Sequence, residues 1–190
     1  MNYLVRTANM SIINKGTGAG GSNTNGNGLP YEILTDLSSE YEPNKTLKYR
    51  NYSVVQFKQC DKLFVSTNQS KFFRYMKDKI DTSIEHAHGC KRPDECYINE
   101  VDKEIFIIEK KFQQTGGSVC EKIQTPGFKL WQYSKLFPQY KIVYIYCLSD
   151  WFKEHCKQEL VYLCDINIPV FWGNSDTYKR DIINFITNYK

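Results

Sequence analysis

DKEIFIIEKKFQ, residues 102–113, is the clearest strand in the chain and decides how the rest is read. Its apolar run, Ile105 to Ile108, gives way at once to a carboxylate and two lysines, where a buried strand would usually stop. The strand therefore delivers Glu109, Lys110 and Lys111 to a chosen place. Alternate strand residues share a face, so Glu109, Lys111 and Gln113 point one way, and Phe106, Ile108, Lys110 and Phe112 the other. A short turn separates this segment from CYINE, residues 96–100, and the pair reads as an antiparallel hairpin. Pro93 stiffens the entry to that partner strand, and Asp94 stands at its start, where it can lie beside Glu109.

Two carboxylates and a lysine at the end of a buried strand have a chemical use. Carboxylates brought together repel unless a divalent cation lies between them, and Mg²⁺ favours one or two carboxylates with waters and phosphate oxygens. Such an ion lowers the pKa of a bound water and neutralises charge developing on a phosphodiester. A lysine beside it can orient the attacking water or stabilise the transition state as a point charge. A Glu-x-Lys triplet alone is common on solvated strand ends, as with any short motif. Here it follows an apolar strand, with Pro93-Asp94 one hairpin earlier.

The rest of the chain supplies a frame. At 190 residues and 22.3 kDa it is long enough for one domain with a sizeable core. A net charge of +4 permits a polyanionic partner without demanding one. No run is long and apolar enough to cross a bilayer, and the first residues lack the apolar core of a signal peptide. A cytoplasmic location is expected, which leaves the Asn44, Asn51 and Asn68 sequons without meaning. The seven cysteines, odd in number and scattered through apolar stretches, read as small buried residues in a reducing compartment. Residues 14–28 hold six of the eleven glycines and read as a flexible loop. The expected organisation is therefore a flexible Gly/Asn-rich segment over 1–28 and one domain over 29–190.

A helix is expected from Pro30 to Glu40, with Leu29, Ile33, Leu34 and Leu37 as its apolar stripe. Strands follow in YSVVQFK and KLFVST, and an amphipathic helix in NQSKFFRYMKDKI. GGSVCEKIQ opens a helix in which Ser118 and Glu121 match a capping box, and FKLWQYSKLF continues helical after a break at Pro126-Gly127. KIVYIYCLS is a strand, DWFKEHCKQELVYL a helix, INIPVFWG a short strand and DTYKRDIINFITNY a closing helix. Antiparallel strands come early and strand–helix units late. The expected fold is α/β, a mixed sheet with helices on both faces.

The pattern P-D-x14-E-x-K, Asp94 to Lys111, matches the PD-(D/E)xK nuclease signature. Together with GGSNTNGNGLPYE, GGSVCEKIQT and VYIYCLSDWF, it resembles a branch of the type II restriction endonucleases, over Gly20 to Trp151. The resemblance implies a restriction-endonuclease-like core and Mg²⁺-dependent cleavage of both strands of double-stranded DNA at a short specific site. It implies Asp94 and Glu109 as metal ligands and Asp94, Glu109 and Lys111 as the catalytic set. It also implies a homodimer matched to a twofold DNA site and a cognate DNA methyltransferase as functional partner. A non-catalytic DNA-binding protein and a related repair nuclease are the alternatives.

Glu32, in GLPYE, stands where many members carry a further metal-binding glutamate, but an acid in a first helical turn is also favoured by the dipole. Glu121 has its capping box as a sufficient reason, and Glu95 points away from Asp94. Lys110 should face away too, unless a bulge exchanges it with Lys111. His86, His88, Cys90 and Cys96 form a second constellation, readable as a zinc site or as a polar loop with a cysteine at each end. Asn23, Asn25 and Asn27 could contact phosphates or base edges.

Overall fold

The computed structural model describes residues 29–79, 92–114 and 119–189. Seven strands form one sheet in chain order: β1 Leu47–Lys48, β2 Ser53–Gln56, β3 Leu63–Thr67, β4 Glu95–Asn99, β5 Glu104–Lys111, β6 Lys141–Leu148 and β7 Val170–Trp172. The first five pair antiparallel, and β6 and β7 continue parallel to β5. The helices are α1 (residues 29–34), α2 Gln69–Lys79, α3 Val119–Lys122, α4 Pro126–Leu136, α5 Trp151–His155, α6 Lys157–Asp165 and α7 Tyr178–Thr187. The expected mixed α/β sheet, flanked by helices, is what forms.

The β4–β5 hairpin closes through one side chain. Asn99 Oδ1 accepts the backbone N–H groups of Val101 and Asp102 at 3.0 and 3.1 Å, and its Nδ2 donates to Asp102 at 2.7 Å. Lys103 completes the turn at φ 55°. The register then pairs Glu95 with Ile108 and Asn99 with Glu104. β5 lies between an antiparallel and a parallel neighbour and is covered on both faces. That is why its run is continuously apolar rather than alternating.

Parity along β5 divides the core. Ile105 and Ile107 join Cys96, Ile98, Tyr144 and Tyr146 under α2, α4 and α6. Phe106 and Ile108 join Tyr97, Val143 and Ile145 under α1 and α7.

Several elements differ from expectation. The first helix ends near Thr35, whose hydroxyl turns back to the Tyr31 carbonyl at 2.7 Å, and the Asp36 carboxylate accepts the Ser38 N–H at the start of a separate 3-10 turn, Ser38–Glu40. Its buried contacts are Tyr31, Thr35 and the following Leu37, while Leu29, Ile33 and Leu34 are 59, 68 and 57% exposed. Gly173 lets the helix sit this close, since a Cβ there would overlap the Tyr31 ring and Thr35. Pro126 opens α4 rather than breaking a helix, as a missing N–H allows. The helix expected over residues 150–163 is two, interrupted at Cys156 (φ −125°, ψ 46°). Cys156 forms a disulfide with Cys120, which corrects the expectation of unpaired cysteines. The pair was hidden because its partners are 36 residues apart and meet only when α3 packs on the α5–α6 junction. Residues 1–28, Ser118, His86, His88 and Cys90 lie outside the described residues. Cys96 is buried under α2.

Ile107 is fully buried between β4 and β6. Ile107→Ala is expected to cost about 2–5 kcal/mol, against less than about 0.5 for the exposed Val101→Ala. Urea denaturation of the two variants checks this.

Candidate active site

The register decides the geometry. Continuing the Glu95–Ile108 pairing by one residue sets Asp94 opposite Glu109 on the same face. Directly opposed side chains have Cβ atoms about 4.5–5.5 Å apart. Asp94 Oδ2 accepts the backbone N–H of Lys110 at 2.8 Å, which fixes the carboxylate against β5. Its other oxygen accepts no hydrogen bond among the described residues.

Glu109 is 7% exposed and does not stand alone. Lys111 Nζ lies 2.6 Å from its Oε1, and Lys129 Nζ, from α4, lies 3.1 Å from the same oxygen. Burial pushes the Glu109 carboxyl up, but the two ammonium groups outweigh it and hold the pKa below the usual range. For Lys111 the burial penalty is outweighed by Glu109 and Asp94, so it stays charged with its pKa raised. Lys129 goes the other way, its pKa lowered chiefly by burial. Asp94 is pushed up to about 6, first by burial and then by Glu109, with Lys111 opposing. Two carboxylates on one face whose pKa values are driven apart make this pair the candidate site.

Lys129 was not singled out in the sequence. It sits mid-helix in FKLWQY, 20 residues from Glu109, and nothing local marks it. The signal that could have found it is periodicity, because a lysine on the buried face of a helix requires a counter-charge.

The opposite face carries a second buried pair. Lys110 Nζ lies 2.7 Å from Glu95 Oε2 and 3.3 Å from the Glu32 carbonyl of α1. Glu95 Oε1 accepts the Tyr97 hydroxyl, which meets the Tyr41 hydroxyl at 2.7 Å. The strand is regular here, so Lys110 and Lys111 keep their expected faces. Lys110 thus binds Asp94 through its main chain and anchors α1 through its side chain.

Glu32 is placed near the site but not in it. Its exposed carboxylate is felt electrostatically by Asp94 and Lys111 and makes no hydrogen bond among the described residues. It lines, with Asp94, a cleft of about 1120 Å³ that runs to β1 and α2. Glu32, Asp94 and Glu109 do not converge tightly. Among the described residues the group of three possible metal ligands within 4.8 Å of one another is Cys120, Cys156 and Glu159. Glu121 is exposed on α3, and the Gln113 backbone N–H donates to Ser149 at 3.1 Å.

The donor set nonetheless suits a hard divalent cation. Among the described residues one Asp94 oxygen accepts no hydrogen bond, Glu109 uses one oxygen for both lysines, and their mutual repulsion is what a cation would relieve. Mg²⁺ keeps several of its own waters and needs few protein ligands.

Comparison of the chain with family models and curated proteins, and of its fold with solved structures, gave no match. Among the described residues no helix is long and apolar enough to cross a membrane.

Asp94 provides a pH test without metal. Its folded pKa lies above the ordinary value, so folding is favoured while it is protonated and that advantage is lost as pH rises through about 6. In EDTA, Asp94→Asn should gain stability relative to the native chain between about pH 4 and pH 6.5, on the order of 2 kcal/mol, and level off above. Thermal or urea unfolding across that range reads the difference.

Proposed function

We propose that this chain is a Mg²⁺-dependent nuclease that hydrolyses phosphodiester bonds in both strands of double-stranded DNA at a short specific site. The observation that carries the reading is the placement of Asp94 opposite Glu109, with Lys111 Nζ 2.6 Å from Glu109 and Asp94 lining a cleft. In this reading the sheet is a restriction-endonuclease-like core and the enzyme is of the type II restriction class. Asp94 and Glu109 would hold the ion, with Glu32 as a further ligand from the cleft wall.

When bound, the ion would lower the pKa of a coordinated water and offset charge on the scissile phosphate. The remaining work belongs to the chain. Lys111 presents a permanent positive charge beside the carboxylates, where it can orient the water or donate to a phosphate oxygen. Lys129 keeps Glu109 ionised and fixed. The Lys110 amide holds Asp94 in its rotamer.

The same reading implies a homodimer, so that a twofold axis brings one site to each strand, and a methyltransferase that protects the host's own DNA. It implies a cytoplasmic location, against which the Cys120–Cys156 disulfide counts, since such bonds are rare in reducing compartments.

Incubation of unmethylated plasmid and phage DNA with Mg²⁺ tests this. Discrete fragments are expected, absent in EDTA, with rates at least about 100-fold lower for Asp94→Asn and Lys111→Met. A metal-dependent smear would reassign the chain to repair or nonspecific cleavage. Intact DNA with a folded protein would overturn the nuclease reading and leave a non-catalytic DNA-binding protein.

A further inference from the structure

The cleft beside Asp94 has a far wall that the proposed chemistry does not use. The β1–β2 hairpin forms it, and two tyrosines stand there. Tyr49 and Tyr52 stack with ring centroids 4.6 Å apart and planes 17° from parallel. Behind them Tyr52 meets the buried Tyr75 edge-on at 4.8 Å, and Tyr75 donates to Glu100 at 2.8 Å. The hairpin is also pinned: Tyr49 N–H donates to the Tyr52 carbonyl at 2.8 Å, and the Thr67 hydroxyl donates to the Asn51 carbonyl at 3.0 Å. The outermost ring, Tyr49, is nonetheless 51% exposed. A ring held from behind and open in front is a platform whose ordering cost is already met before anything binds.

The cleft carries both signs. Glu32, Asp36 and Asp94 line one end together with Lys110, which pairs with Glu95, and Lys179, which donates to Ser39, while Lys48 lies on β1 and Lys71 at the start of α2. Neither Lys48 nor Lys71 makes an ion pair among the described residues. Aromatic faces flanked by lysines that make no ion pair among the described residues suit a nucleic-acid strand: phosphates take the lysines and a base takes the ring.

We propose that Tyr49 stacks on an unpaired base of the DNA strand occupying this cleft, with Lys48 and Lys71 on its phosphates. The proposal rests on the nuclease reading for the identity of its ligand. Tyr52 and Tyr49 lie two and three strands from β4, about 10–15 Å from Asp94 at the usual strand spacing. The substrate is thereby DNA that is unstacked near the cut, whether by flipping, fraying or a single-stranded end.

Binding in EDTA separates this from catalysis. The probes are a fluorescent 16-mer of deoxythymidine and a 16-mer of abasic residues, which share phosphates but not bases. The native chain should bind the thymidine strand more tightly. Tyr49→Ala should remove about 5- to 150-fold of that affinity and leave abasic binding unchanged, while Tyr49→Phe should keep the preference. A preference that survives Tyr49→Ala, or no binding of either strand by the native chain, overturns the proposal. The nuclease reading fails separately, on the absence of Mg²⁺-dependent cutting, and a Tyr49-dependent preference would stand without it.

Discussion

Burying Glu109 is the constraint around which the structure is arranged. An ionised carboxylate taken out of water costs several kcal/mol unless charges and hydrogen bonds compensate it. Here Lys111 from the same strand and Lys129 from α4 both close on one oxygen. α4 must therefore dock with its lysine over the end of β5, and its buried Tyr133 packs against α2 through Phe72 and Phe73. Replacing the whole cluster by apolar side chains would stabilise as well or better, as buried ion pairs commonly show.

The two faces of β5 solve one problem twice. Glu109 meets its lysines on the α4 side, and Lys110 meets Glu95 on the α1 side. Asp94 sits between these systems. It shares a face with Glu109 yet is held by the Lys110 amide, so movement on either face reaches it. This leaves Asp94 less compensated than Glu109, consistent with burial and Glu109 raising its pKa while Glu109's own is lowered.

Much of this was legible in the sequence. Period-two alternation in EKKFQ fixed which of Glu109, Lys110 and Lys111 share a face, and the short turn before Glu104 fixed the hairpin and hence the place of Asp94. Contacts made by packing were not legible. Lys129 and the Cys120–Cys156 pair depend on how α3, α4 and α6 dock, which no local pattern encodes. The Leu29, Ile33 and Leu34 stripe misled because the first helix is short and is pinned through Tyr31 and Thr35 beside Gly173. Helical spacing of apolar residues says that a face exists, not that it is covered.

Asp94 and Glu109 are proposed to hold a divalent cation together. Calorimetric titration of the native chain and of Asp94→Asn with Mn²⁺, a hard cation of similar oxygen preference to Mg²⁺, tests it without DNA. The expected result is saturable binding to the native chain that is lost in the Asp94 variant while its fold is retained. Equal binding by both, or no binding at millimolar Mn²⁺, would contradict the account.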